Sequence, residues 1–152
     1  MGEFRLSIRI LSMNVRGLRS PMKWRYIKDL IRKEGIKMVC LHEVKIMTFS
    51  MKKCCQLWGD NDIRFFYSEP INGVGGILTI WHNKCFQCTN HIINRWFIVF
   101  IRCIKEKNTP VAYANVYSSC NVQVKRQMWE DLKDVRQREF LVHFGRFQLC
   151  KK

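Results

Sequence analysis

LSIRILSMNVRGLRSPMKWRYIKDLIRKEGIKMVCLHE, residues 6–43, is the stretch whose reading decides the fold. Apolar residues alternate at Leu6, Ile8 and Ile10 and then fill both faces with Leu11 and Met13, the pattern of a strand entering a core. Ser20-Pro21 supplies an N-cap with proline at the first helical position, and Trp24, Ile27, Leu30 and Ile31 recur at helical spacing up to a stop at Gly35. Lys37 to Leu41 reads as a short buried strand. Strand, helix and strand within the 38 residues from Arg5 to His42 make a βαβ unit, whose strands run parallel with a right-handed crossover. Parallel strands end at a common edge. Asn14 and Glu43, 29 positions apart, are therefore expected side by side at the carboxyl edge, where open α/β sheets bind ligands. An amide next to a carboxylate is a phosphate and metal site in outline. Each residue also has a plain reading: asparagine after a strand is a common turn residue, and Glu43 suits a helix start or a surface position.

Working outward, Ser50 to Trp58 reads as a short helix and Arg64 to Ser68 as a strand, followed by a glycine-rich turn over Pro70 to Gly76. Gly73-x-Gly75-Gly76 superficially matches a phosphate loop. It precedes a strand rather than opening a helix, and no Lys-Ser or Lys-Thr pair comes after it, so a hairpin turn is the better reading. Ile77 to Trp81, Phe86 to Thr89 and Trp96 to Ile104 are expected to form an antiparallel meander. Val111 to Val116 is a further strand that delivers Asn115 and Tyr117 at its end. A helix over Val124 to Arg138, with Met128, Leu132 and Val135 on one side, and a strand over Phe140 to Phe144 complete a second βαβ-like unit. This order predicts a single α/β sandwich domain with sheets in the middle and helices outside.

The 152 residues are 47% apolar, enough to bury a real core. Lys and Arg number 27 against 12 acids, a formal charge of +15 with a pI near 9.8, which favours nucleic acid or an anionic membrane surface as partner. The excess divides almost evenly between the halves of the chain, so it forms no dedicated basic arm. No apolar run approaches the roughly 20 residues of a membrane span, and the N-terminal charges at Glu3, Arg5 and Arg9 break any signal-peptide core, which makes a cytosolic or nuclear protein the expectation. The eight cysteines then read as reduced thiols, with Cys40, Cys103 and Cys120 in the core. Cys85, Cys88 and His91 have the spacing of half a zinc site, but zinc wants four ligands and no second pair matches. Trp58, Trp81, Trp96 and Trp129 could stack on bases; their apolar neighbours make core packing the better reading.

Four ordered segments carry a family resemblance. Leu11-Ser12-Met13-Asn14-Val15-Arg16-Gly17-Leu18 resembles the opening S-W-N-V-R-G-L motif of the endonuclease/exonuclease/phosphatase (deoxyribonuclease-I-like) superfamily, in its LINE-type non-LTR retrotransposon branch. Val39-Cys40-Leu41-His42-Glu43-Val44-Lys45 is similar to the Q-E-T-K motif, and Gly75 to Trp81 and Ala114-Asn115-Val116-Tyr117 are similar to later strands. The resemblance implies a four-layer α/β sandwich and magnesium-dependent cleavage of phosphodiesters, manganese being an alternative ion and DNA the substrate. It implies that Glu43 holds the metal with Asn14, that Asn14 and Arg16 meet the phosphate, and that Tyr117 sets its hydroxyl against it; core filling is the plain alternative for Tyr117.

Departures accompany the matches. Met13 replaces tryptophan, and His42 and Val44 replace the residues flanking the acid. The G-D-F-N motif corresponds to Gly145-Arg146-Phe147-Gln148, with Arg146 in place of the catalytic aspartate and Gln148 in place of the asparagine. An arginine about 5 Å from the ion adds roughly 3 kcal/mol of repulsion per unit metal charge at an effective dielectric near 20. The closing strands and the S-D-H-type motif are not found, and His42, His82, His91 and His143 lie in no comparable motif. The expectation is a domain incomplete at its C-terminus, impaired or inactive, with exposed edges that favour aggregation. The alternatives are a noncatalytic basic nucleic-acid binder and a retroelement relic without function.

Overall fold

Two parallel strands anchor the architecture: β1 (Ile10–Asn14) and β2 (Met38–His42) pair from Ile10 opposite Met38 to Asn14 opposite His42. The computed structural model describes residues 8–104, 109–137 and 147–150. Between these strands runs α1 (Pro21–Lys33), opened by Ser20 and Pro21 as the sequence predicts, with Ile27 and Ile31 buried. Next come α2 (Met51–Trp58), β3 (Ile63–Ser68) and β4 (Ile77–His82). The Ser50 hydroxyl caps α2 by accepting from the Lys53 amide. These strands form a sheet in the order β1-β2-β4-β3, antiparallel except for its first pair.

The second sheet contains β5 (Gln87–Ile93), β6 (Phe97–Ile104), β7 (Thr109–Val116) and β8 (Phe147–Cys150), in that order. Its first three strands are antiparallel, and β8 runs parallel to β7 after α3 (Val122–Val135). The expected meander is therefore divided: Ile77–His82 belongs to the first sheet and only the strands after it to the second. The alternation of β4 explains this. Leu78 and Ile80 pack toward α1 and α2, whereas Ile77 and Trp81 face the second sheet, so β4 is an interior strand of a layered stack. The expected strand Phe140 to Phe144 and the helix end at Arg138 lie outside the described residues.

Three apolar clusters separate four layers. Ile27, Ile31, Cys54 and Leu57 of the helices meet Val39, Leu41, Leu78 and Ile80. Met38, Cys40, Ile77 and Trp81 meet Phe86, Ile98, Phe100 and Tyr113 between the sheets. Phe97, Val99 and Ala114 meet Met128 and Leu132 of α3. Each fully buried large side chain contributes about 1.5–3 kcal/mol, so the stack fixes both sheets firmly against each other. Cys40 is in the core as expected, but Cys120 is exposed: the chain leaves the second sheet after Val116, and Cys120 falls in the loop before α3. Among the described residues no helix is long and apolar enough to cross a membrane.

Candidate active site at the strand ends

The parallel register of β1 and β2 places Asn14 opposite His42, one residue before Glu43. Pairing continues past the strands. Val15 N donates to His42 O at 3.0 Å, Gly17 N to Glu43 O at 2.7 Å and Leu18 N to Val44 O at 3.0 Å. On the other side Val44 N and Lys45 N donate to Gly76 O and Gly75 O at 3.0 and 3.1 Å. Stitched from both sides, the loop holds three non-glycine residues in left-handed backbone, Arg16 at φ 47°, Glu43 at 53° and Lys45 at 57°. Each such residue costs of order 1–3 kcal/mol and persists only where its surroundings enforce it. The φ of Gly76 is 92°, and a Cβ there would stand 3.1 Å from Lys45 N and 3.1 Å from the Tyr67 hydroxyl. The Tyr67 hydroxyl donates to Ile46 O, closing the same loop from β3. Before it, Asn72 and Gly73 both have positive φ between the paired Ile71 and Val74, the tight turn expected there.

Four of the residues singled out in the sequence meet, Arg16 through its backbone. Asn14 Nδ2 donates to Glu43 Oε1 at 2.9 Å, Tyr117 donates its hydroxyl to the same oxygen at 2.9 Å, and Asn14 Oδ1 accepts from the Arg16 amide at 3.0 Å. The Tyr117 phenol is pushed up to about 12 by burial and by the negative Glu43 it donates to. It is a hydrogen-bond donor throughout the neutral range. Gln148 is not brought to this cluster by its backbone pairing, which sets it opposite Tyr113 inside β8. Arg146 lies outside the described residues.

Beneath the cluster is a buried polar bridge that the sequence alone does not assign. Asn115, fully buried, donates through Nδ2 to Leu78 O at 3.2 Å and Thr79 Oγ1 at 2.9 Å, and its Oδ1 lies 2.5 Å from His42 Nε2. A backbone carbonyl can only accept, so the amide nitrogen faces Leu78 and the imidazole must carry a proton on Nε2. The bridge ties β2, β4 and β7 together below Glu43, and the His42 ring stacks on Tyr117 at 6.3 Å. An asparagine in the otherwise apolar run Ala112 to Val116 was the available signal.

Beside Asn14 opens a cleft of about 500 Å³ lined by Arg16, Gly17, Arg19, Ser20, Lys23, Lys45 and Gly73. Lys23 is committed to structure, its ammonium donating to Val15 O, Gly17 O and Arg16 O at 2.8, 3.0 and 3.3 Å. Arg16, Arg19 and Lys45 give the cleft its positive character. Of the four tryptophans weighed for stacking, Trp58 and Trp81 are buried, and Trp96 and Trp129 are half-buried against the α3 cluster.

No family model and no curated protein matches the sequence. Solved structures do match. The AP endonuclease of Leishmania major superposes with a TM-score of 0.57 at 16% identity, over 88% of this chain and 45% of that one. The endonuclease domain of TRAS1, a telomere-specific non-LTR retrotransposon, gives 0.62 at 11% identity over 87% and 53%. An endonuclease/exonuclease/phosphatase family protein from Bacteroides thetaiotaomicron gives 0.65 at 8% identity over 88% and 60%. The fold of this chain is thus the deoxyribonuclease-I-like α/β sandwich, and the chain spans about half the length of the structures it matches.

Proposed function

We propose that this chain is an endonuclease-like phosphodiesterase domain acting on DNA, with a divalent ion, magnesium or alternatively manganese, held at Glu43. The observation that carries the reading is the double donation to Glu43 Oε1, by Asn14 from one sheet and Tyr117 from the other, at the common rim of both. The sharing of this fold with an AP endonuclease and a retrotransposon endonuclease supports it.

The donor set fits a lightly held hard cation. Magnesium usually takes one or two carboxylates and completes its shell with water and substrate phosphate. Glu43 offers the carboxylate and Asn14 an amide oxygen; among the described residues no group of three or more His, Cys, Asp or Glu gathers. When bound, such an ion supplies the charge that polarises the phosphate and stabilises the departing oxygen. The chain's own residues do the positioning. Asn14 and the protonated Tyr117 both donate to the Glu43 carboxylate and fix it, and Arg16, Arg19 and Lys45 receive neighbouring phosphates. Arg146 and Gln148 stand where the resemblance expects an aspartate and an asparagine, so we place the activity low.

Plasmid nicking tests the proposal. Nicking that requires magnesium and disappears both with EDTA and in Glu43→Ala is the expected result; nicking indifferent to Glu43→Ala would overturn it. The basic cleft favours a second reading, a noncatalytic nucleic-acid binder, marked by salt-sensitive DNA binding that needs no magnesium, survives Glu43→Ala and comes without nicking.

A further inference from the structure

The turn between β5 and β6 carries Arg95 and Trp96 to the same rim as Glu43. Its backbone is fixed at several points: Asn94 N donates to Phe97 O at 2.8 Å, Trp96 N to Asn94 Oδ1 at 2.9 Å, the Ser68 hydroxyl to Asn94 O at 2.9 Å, and Tyr117 N to Trp96 O at 2.8 Å. The Trp96 ring stacks near Tyr117, centroids 6.4 Å apart and planes 26° from parallel. Arg95 lies on Trp96 with its Cζ 4.3 Å from the ring centroid. A column therefore runs from solvent to the carboxylate in the order Arg95, Trp96, Tyr117, Glu43.

Packing accounts for Trp96, whose ring joins the cluster against α3. It does not account for Arg95, which is exposed and forms no ion pair with any described carboxylate. A cation–π contact at an exposed site contributes roughly 0.5–1 kcal/mol, enough to hold a long side chain in place and lower the entropy cost of engaging an anion. The cleft of Arg16, Arg19 and Lys45 belongs to loops on the helix side of the first sheet, whereas Arg95 belongs to the second sheet. Glu43 is joined to the first through Asn14 and Arg16, and to the second through Tyr117 and Trp96.

We infer that Arg95, laid on Trp96, is a second phosphate-binding shelf, and that the substrate is an extended polynucleotide strand reaching from the cleft across Glu43 to this shelf. The inference rests on the phosphodiesterase reading for its orientation. A compact phosphomonoester or a single nucleotide would touch only one of the two positive features.

The test is fluorescence anisotropy of a labelled single-stranded oligodeoxynucleotide in EDTA, repeated between about 50 and 200 mM salt. Arg95→Ala is expected to weaken binding about tenfold, with the salt slope reduced by about one. Arg95→Lys should recover only part of it, because an ammonium lies less well on an indole than a guanidinium does. Binding of inorganic tripolyphosphate, too short to engage both positive features, should fall by less than that of the oligonucleotide, and melting temperatures should match the parent. Unchanged oligonucleotide affinity in Arg95→Ala overturns the shelf even if nicking persists, and an equal loss for tripolyphosphate overturns the strand assignment. A tenfold loss in a chain that nicks nothing supports the shelf while sinking the catalytic reading, so the two failures are separable.

Discussion

The molecule contains two strand–helix–strand units with parallel strands, and they do different things with the same geometry. In the first, β1 and β2 are in register up to their carboxyl ends, so Asn14 and Glu43 emerge together and their loops go on pairing. In the second, β7 ends at Val116 and hands Tyr117 to the rim, while β8 pairs with Ala112 to Asn115, which sets Gln148 opposite Tyr113 and only Cys150 opposite Asn115. Tyr113 lies four residues before Tyr117, about 13 Å along a strand. Parallel topology alone does not assemble a site; register decides which side chains arrive. The first unit brings an amide and a carboxylate to the rim, and the second adds a single phenol.

Breaking the first unit at its carboxylate should give the largest effect. Glu43→Gly is expected to lower any magnesium-dependent nicking by a factor of about 10² or more. Its stability should stay within about 1 kcal/mol of the parent, because glycine accepts φ 53° without strain while losing more chain entropy on folding. Denaturant melts alongside nicking assays would separate the two. A collapse of the fold would mean the carboxylate is there for structure.

Gly76→Ala should come next, costing about 3 kcal/mol of unfolding free energy, since the new methyl meets the Lys45 backbone nitrogen in a conformation alanine resists. Asn115→Leu should cost about 2–3 kcal/mol by stranding the partners of a buried amide. It should also loosen Tyr117, read as faster hydrogen exchange at the strand ends. A melt unchanged by either substitution would show that the two sheets are held without this bridge.

Much of the first unit was legible because its signals are local. Proline after Ser20, helical spacing from Trp24 to Ile31 and glycine at position 35 are one-dimensional patterns, and their order dictates the parallel crossover. The division of the expected meander was not legible: Ile77 to His82 and Gln87 to Ile93 both read as strands, and only the packing of Trp81 and Phe86 between layers assigns them to different sheets. The meeting of Asn14 and Glu43 was anticipated from strand order, whereas Tyr117 entered only through the family resemblance. The His42 and Asn115 bridge was not, because a polar residue in an apolar run names no partner 73 positions away.

A smaller effect concerns the support of the Glu43 loop. Burial pushes the Tyr67 phenol up to about 12, against the lowering effect of its bond to Ile46 O, and pushes the Cys54 thiol to about 12 with help from Cys55. Both groups are held neutral in the fold above their ordinary range. Their contribution is complete below the unfolded values near 9 and 10 and is lost as pH rises toward 12. Tyr67→Phe should cost about 1 kcal/mol at neutral pH and flatten the alkaline limb of the stability curve. A limb of undiminished steepness would assign the alkaline loss to Cys54 or Tyr117.

The smallest expected effect returns to the second unit. If sequence resemblance alone governed the site, Arg146→Asp would restore a missing acid, remove a repulsive cation and raise nicking strongly. The register of β8 argues otherwise, because Gln148, two residues on, pairs well short of the rim where Tyr117 meets Glu43. Nicking by Arg146→Asp should therefore stay within about twofold of the parent, a difference of less than about half a kcal/mol in barrier. A tenfold or greater gain would mean that position 146 comes to Glu43, and that family resemblance rather than the register of Gln148 decides what the second unit brings to the site.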